Sequence, residues 1–135
     1  QGLELEGQVQ LSEALRLTAA YTYTDARADG DTRKDLVARH QAATWLDYAI
    51  TQGTFSGLQL GGGIRHVGSS VGGDIDVPSH TVVDALVAYD FDANWRAQLN
   101  VNNVTDEDYV ASCEASFWCY NGESRSVIGS LSYRW

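Results

Sequence analysis

Val83-Asp-Ala-Leu-Val-Ala-Tyr-Asp-Phe91, then Asp92-Ala-Asn94, then Trp95-Arg-Ala-Gln-Leu-Asn-Val101: this stretch decides how the chain is built. Val83, Ala85, Val87, Tyr89 and Phe91 take every second position, and Trp95, Ala97, Leu99 and Val101 do the same. Between them stand Asp84, Asp90, Arg96, Gln98 and Asn100. A period of two is that of a β-strand, whose successive side chains point to opposite faces. Residues 92–94 leave room only for a tight turn, so the two strands form an antiparallel hairpin.

Five more segments alternate in the same way: Leu3–Leu11, Leu15–Tyr23, Ala42–Ile50, Leu58–Arg65 and Val127–Trp135. Over all seven, the apolar face offers 33 positions and none is charged. The other face offers 27, of which nine are charged: Glu4, Glu6, Arg16, Asp47, Arg65, Asp84, Asp90, Arg96 and Arg134. A soluble sandwich also has one apolar face per strand, so composition has to separate the two. The apolar rows mix Leu, Val, Ala, Gly and Tyr and lack the bulky set of a packed core. The other rows have the charge and amide character of a water-filled lumen.

The chain has 135 residues, which suits one domain. Its 18 acidic and nine basic residues give a formal charge of −9, and no Lys/Arg-rich run is present. No nucleic-acid partner is therefore expected. The longest apolar run, Ala85–Tyr89, falls far short of the ~20 residues of a membrane-spanning helix. Hydropathy alone would make the chain soluble.

The links between strands point the other way. Residues 12–14, 51–57 and 92–94 are short links, and 24–41, 66–82 and 102–126 are long ones, in strict alternation. Tight periplasmic turns alternating with longer extracellular loops mark an outer-membrane barrel. With that orientation Tyr48, Phe91, Trp95, Tyr133 and Trp135 fall at periplasmic strand ends on the apolar face, and Tyr21 and Tyr23 at the opposite rim. Amphipathic rings favour the headgroup zone, so both rims fit a membrane. The fold class is all-β: an antiparallel transmembrane β-barrel segment of about seven up-and-down strands. Seven strands cannot close as single-chain bacterial barrels do, with even numbers from about eight upward. Either an eighth strand lies in 102–126, or several chains assemble, or the chain is one wall of a larger barrel. The abrupt start at Gln1 favours the wall.

The segment Asn100-Val-Asn-Asn-Val-Thr-Asp-Glu-Asp-Tyr-Val110 resembles the N-x-x-N-L-F-D-x-x-Y stretch of TonB-dependent siderophore receptors. Gly2–Gly7, Ala20–Asp25, Trp45–Tyr48, Leu60–Gly68, Val77–Asp84, Tyr120–Arg125 and the closing Ser130–Trp135 continue the match in order. It is closest to the ferrichrome-type (hydroxamate) branch, which carries a similar cysteine pair in its last loop. Val104-Thr105 in place of Leu-Phe and Trp135 in place of a terminal Phe are departures. The resemblance implies a barrel of about 22 strands of which residues 1–135 form the C-terminal part, with plug and N-terminal strands absent. It implies a bacterial outer-membrane location, uptake of ferric siderophores energised by TonB through the missing plug domain, and contact with outer-membrane lipid. The siderophore would be a transported ligand; no cofactor is expected. Leu131, Tyr133 and Trp135 look like the signal read by the barrel-assembly machinery.

No catalytic constellation stands out, so the chain is not expected to be an enzyme. Cys113 and Cys119 are C-x5-C, neither a redox C-x-x-C nor near a histidine in sequence. A short-loop disulfide is preferred over two free thiols. Phe117, Trp118 and Tyr120, with Tyr109 nearby, would offer flat apolar surface to a siderophore, or would pack against the disulfide and the rim. Asp106, Glu107 and Asp108 read as a solvated turn more readily than as a cation site. His40, His66 and His80 are scattered, and no metal site is expected. Gly61-Gly62-Gly63 lacks the G-K-[ST] of a phosphate loop and reads as close packing or a bend. The lumen charges would bind a plug or pair with one another. Two other readings are a small self-contained outer-membrane barrel with a structural or adhesive role, needing an eighth strand from 104–112, and a soluble sandwich that binds a ligand.

Overall fold

A computed structural model describes residues 1–27, 36–72, 75–115 and 117–135. Residues 28–35 and 73–74 of the first two long links, and Ser116 of the third, lie outside the described residues. Every regular element among the described residues is a strand: β1 (Gly2–Gln10), β2 (Leu15–Thr24), β3 (His40–Ala49), β4 (Leu58–Val67), β5 (Ser70–Gly72), β6 (Ile75–Val77), β7 (His80–Asp90), β8 (Trp95–Asn102), β9 (Val110–Ala115), β10 (Trp118–Asn121) and β11 (Ser126–Tyr133).

Seven of them form one antiparallel sheet in the order β1-β2-β3-β4-β7-β8-β11, the seven that alternate in sequence. The other four form two small hairpins, β5-β6 and β9-β10, inside the second and third long links. The expectation of an eighth wall strand from 104–112 is not met. Val110, Ala111 and Ser112 belong to the β9-β10 hairpin, and the preceding residues form its approach. Its short bulged strands pair only with each other, so the sheet ends on β1 and β11. This open sheet does not make a self-contained barrel.

The register brings the apolar rows together across the whole sheet. Leu5 faces Tyr21, Leu17 faces Leu46, Tyr48 faces Leu60, Leu60 faces Val87, Val87 faces Leu99 and Ala97 faces Leu131. A slip of one residue in any pair would throw a charged row onto this face. The face is bare: Leu5 is 58% exposed and Leu131 65%. The buried side chains of the seven-stranded sheet, Val82, Asp84 and Ala88, lie on the polar side of β7. A water-soluble sheet has the reverse arrangement.

The polar side is held by side-chain pairing. Arg65 bonds Asp84 through Nε (2.6 Å) and a terminal nitrogen (3.1 Å). Arg96 reaches Asp90 at 3.0 Å and Gln59 at 2.6 Å, and Arg16 donates to Gln10 at 3.2 Å. Trp45 lies flat along β4, its indole N–H on Asp47 at 2.9 Å. A Cβ at Gly61 would come within 2.6 Å of the ring, and one at Gly63 would overlap it. Gly61 and Gly63 therefore clear a track for an indole against the wall, the close packing expected of the glycine run.

The turn end is tight. In 11–14 the Ser12 hydroxyl accepts from the Ala14 and Leu15 amides, and in 91–94 an Asp92 oxygen accepts from Asn94 and Trp95. Such side-chain turns suit Ser and Asp. Asn94 also donates to the Arg134 carbonyl at 2.6 Å, joining the last residues to the turn. Around this end the apolar face carries rings: Trp95 against Tyr133 (centroids 4.8 Å apart) and Tyr89 edge-on to Phe91 (5.0 Å). At the other end the Tyr21 hydroxyl meets His40 Nδ1 at 2.8 Å, with the Tyr23 ring beside it. The aromatic rims fall where the strand phases put them.

Candidate functional site

The loop end is where chemistry other than wall-building collects. β8 leaves the sheet at Asn103, which is 2% exposed and has φ 51°. That left-handed backbone is uncommon outside glycine, and asparagine tolerates it best. The turn points the Asn103 amide at Asp84 Oδ1 (3.0 Å), while Val104 donates to the Val83 carbonyl. The Asn103 side chain then holds both legs of the 103–125 loop. Its Nδ2 donates to the carbonyls of Glu107 (2.9 Å) and Glu123 (3.0 Å), and its Oδ1 accepts from the Glu107 amide (2.9 Å). Asp106, also left-handed at φ 55°, accepts from the Arg125 amide at 2.8 Å and pairs with its guanidinium. The solvated acidic turn read from sequence is thus half structural: Asp106 ties the loop's base, while the carboxylates of Glu107 and Asp108 are exposed.

Above this base the legs run side by side. Gly122 donates its amide to the Tyr109 carbonyl (2.7 Å), and any side chain at 122 would overlap the Tyr109 ring. The Tyr109 ring also stacks on His80, centroids 4.0 Å apart and planes 22° apart. Here the chain forms an open cleft of about 580 Å3, lined by Pro78, His80, Glu107, Tyr109, Asn121 and Gly122 among others. That volume lies within the range of small-molecule sites.

Beyond the cleft stands the β9-β10 hairpin. Cys113 and Cys119 lie directly opposite in its register and are joined as a disulfide, as the sequence favours. Cys113 is buried, because β5 crosses it so closely that a Cβ at Gly72 would strike the Cys113 carbonyl. Leu36 in turn donates to the Val71 carbonyl at 2.7 Å. The three long links therefore meet in one cap.

The four aromatic residues singled out in the sequence do not form one cluster. Tyr109 is half-buried between His80 and Gly122 at the loop base. Phe117 (86% exposed), Trp118 and Tyr120 sit on the hairpin and are exposed. No ring contact among the described residues joins Phe117, Trp118 or Tyr120 to another aromatic. Leu131, Tyr133 and Trp135 lie at the opposite end, bare on the apolar face or beyond it. The histidines share the loop end of β3, β4 and β7 but not their partners: His40 bonds Tyr21, His66 bonds Thr81 at 2.8 Å, and His80 stacks on Tyr109. No group of three or more His, Cys, Asp or Glu among the described residues could hold a metal ion.

Asp84, Asn103 and Gly122 were not singled out as site residues from the sequence. A signal was there for Asn103: an asparagine where an alternating strand breaks, six residues before a tyrosine. For Gly122 and His80 the signal was only their distance from Tyr109 in space, which spacing along the chain does not carry.

Comparison with known proteins follows the same outline. A family model described as "TonB dependent receptor-like, beta-barrel" matches residues 1–104. The chain is 42% identical to the ferrioxamine B receptor of Salmonella typhimurium over 98% of its length and 21% of that protein's. It is 40% identical to the ferrichrome outer membrane transporter/phage receptor of Escherichia coli K12, over 98% of this chain and 19% of that one. It spans about a fifth of the length of these curated relatives. In fold it matches the ferripyoverdine receptor of Pseudomonas aeruginosa, solved with ferripyoverdine bound, with a TM-score of 0.83 at 24% identity, over 98% of this chain and 19% of that one. The in-register bare apolar face and these matches agree: the chain belongs to the TonB-dependent receptor family, as a stretch of its outer-membrane β-barrel.

Proposed function

We propose that this chain is the C-terminal wall of a receptor that takes up ferric siderophores across the bacterial outer membrane, driven by TonB through a plug domain. The observation that carries the reading is the pairing of a lipid-ready face with a wet face in strict register over seven strands. An uncharged outer row and a hydrogen-bonded inner row are what a pore wall needs. The relatives' names supply the cargo class: one is a ferrioxamine B receptor and another a ferrichrome transporter.

In this reading the wall catalyses no covalent chemistry; the receptor works by binding and gated passage. The cleft beside Tyr109 and the exposed rings of Phe117, Trp118 and Tyr120 meet the siderophore. Iron arrives already wrapped in organic ligand, so flat rings of low conformational entropy suit the contact better than metal ligands would. The Cys113–Cys119 disulfide restrains the hairpin that presents them. Leu131, Tyr133 and Trp135 form the terminal signal for the barrel-assembly machinery, and the apolar face meets lipid.

The test is uptake of iron-loaded hydroxamate siderophore by iron-starved cells that carry or lack the full gene. Uptake that depends on the gene and stops when TonB is removed supports the proposal. Equal uptake with and without the gene, across hydroxamate and other ferric siderophores, would refute it.

A further inference from the structure

Asp84 is the one buried charged residue among the described residues, and it serves two regions at once. Toward the pore it accepts two bonds from Arg65, whose side chain is half open. Toward the loop it accepts the Asn103 amide. Asn103 itself is more deeply buried, and its one side chain joins the outgoing leg at Glu107 to the returning leg at Glu123. Two residues past Glu107 stands Tyr109, and next to Glu123 stands Gly122; both line the cleft. The separation of the cleft's two walls is therefore set from below by a residue that does not line it.

We propose that Asn103 and Asp84 are positioning residues for ligand capture, and that Arg65 opens the same connection to the pore. This rests on the siderophore-receptor reading above. Asn103 acts through the Glu107 and Glu123 backbone, and Asp84 acts by fixing the Asn103 turn. A group that engages Arg65 from inside the barrel competes with Asp84 for it and loosens the turn. By reciprocity, ligand that closes the cleft strengthens Asp84's hold on Arg65. The second ion pair of the polar side, Arg96–Asp90, sits at the far end of β7 and β8 and has no such link to the loop.

The test uses the full-length receptor in outer membranes. Asn103→Gly keeps the left-handed turn, which glycine adopts freely, and removes only the side chain. Three hydrogen bonds are lost, so half-saturation by ferric hydroxamate should need roughly tenfold more ligand. Transport per receptor at saturating ligand should stay within about twofold of the parent, because no group that touches ligand has changed. Arg65→Gln should shift half-saturation in the same direction by a smaller factor. Asp90→Asn, which breaks the other pair, should leave it unmoved. If Asn103→Gly and Arg65→Gln bind as the parent does, the proposal is overturned. If they lose the heat-modifiable folded barrel, or Asp90→Asn weakens binding equally, the residues merely build the wall and the proposal is likewise overturned. Should the parent itself bind no ferric siderophore, the receptor reading fails, and protection of the 103–125 loop from protease, lost in Asn103→Gly and retained in Asp90→Asn, still decides whether Asn103 closes the two legs.

Discussion

The seven-stranded wall and the cap above it are built on different rules. In the wall each residue's role follows from its parity: odd or even decides the bare apolar face or the polar one, and neighbours repeat the choice in register from β1 to β11. In the cap single residues decide. Asn103 joins two legs, Gly122 admits a ring, Gly72 admits a strand, and one disulfide closes a hairpin. A pattern spread over dozens of positions tolerates exchange within its class. A contact vested in one side chain does not. The wall should therefore respond to polarity and the cap to shape.

The sharpest way to break that contrast is to put a charge on the bare face. Val87→Arg, opposite Leu60 and Leu99 near mid-strand, should cost about 2–4 kcal/mol in reversible unfolding of the receptor from vesicles. Gln98→Arg, one row away on the wet face, should cost far less. Equal costs would erase the two-faced wall.

A smaller effect tests where the wall borrows the cap's rule. Gly63→Ala pushes a methyl into the Trp45 ring and should destabilise by about 1–3 kcal/mol. In a Trp45→Ala background the same change should cost less by the ring's share, the coupling expected of touching residues, while the Thr44 carbonyl, 2.7 Å from the new methyl, keeps part of the cost. Were the two costs additive, the indole would not lie on the glycine track.

In the cap, Gly122→Val should displace the Tyr109 ring, weaken ligand binding to cells severalfold and leave the thermal unfolding of the barrel unchanged. Loss of the folded barrel would mean that cap and wall are one cooperative unit. The smallest effect is expected from replacing Cys113 and Cys119 together by serine. Protease should then cut the 110–121 hairpin faster, while the wall stays resistant and binding changes little.

The same contrast explains what was legible beforehand. The strand phases, the short turns, the aromatic rims and the disulfide could all be read, because each is local or periodic. The hairpins inside the long links could not, since β5, β6, β9 and β10 are too short to show a period. The eighth strand proposed within 104–112 failed for a related reason. Asn103 and Asp106 both turn left-handed there, and Asp106 pairs with Arg125 across the loop instead of extending a strand. Tyr109 was grouped with Phe117, Trp118 and Tyr120 by nearness in sequence, but its ring is taken by His80, far back in the chain at the head of β7. Arg65 and Asp84, two of the lumen charges, pair across neighbouring strands, as opposite charges on one face do.

Which side of the sheet meets lipid is decided most directly by spin labels placed singly along β3, β7, β8 and β11 in the vesicle-embedded receptor. Labels at Leu46, Val87, Leu99 and Leu131 should collide with lipid-dissolved oxygen and escape a water-soluble nickel reagent, and labels at Gln98 and Asn100 should do the reverse. Leucine sites shielded from both agents, as in a dry protein interior, would contradict the account.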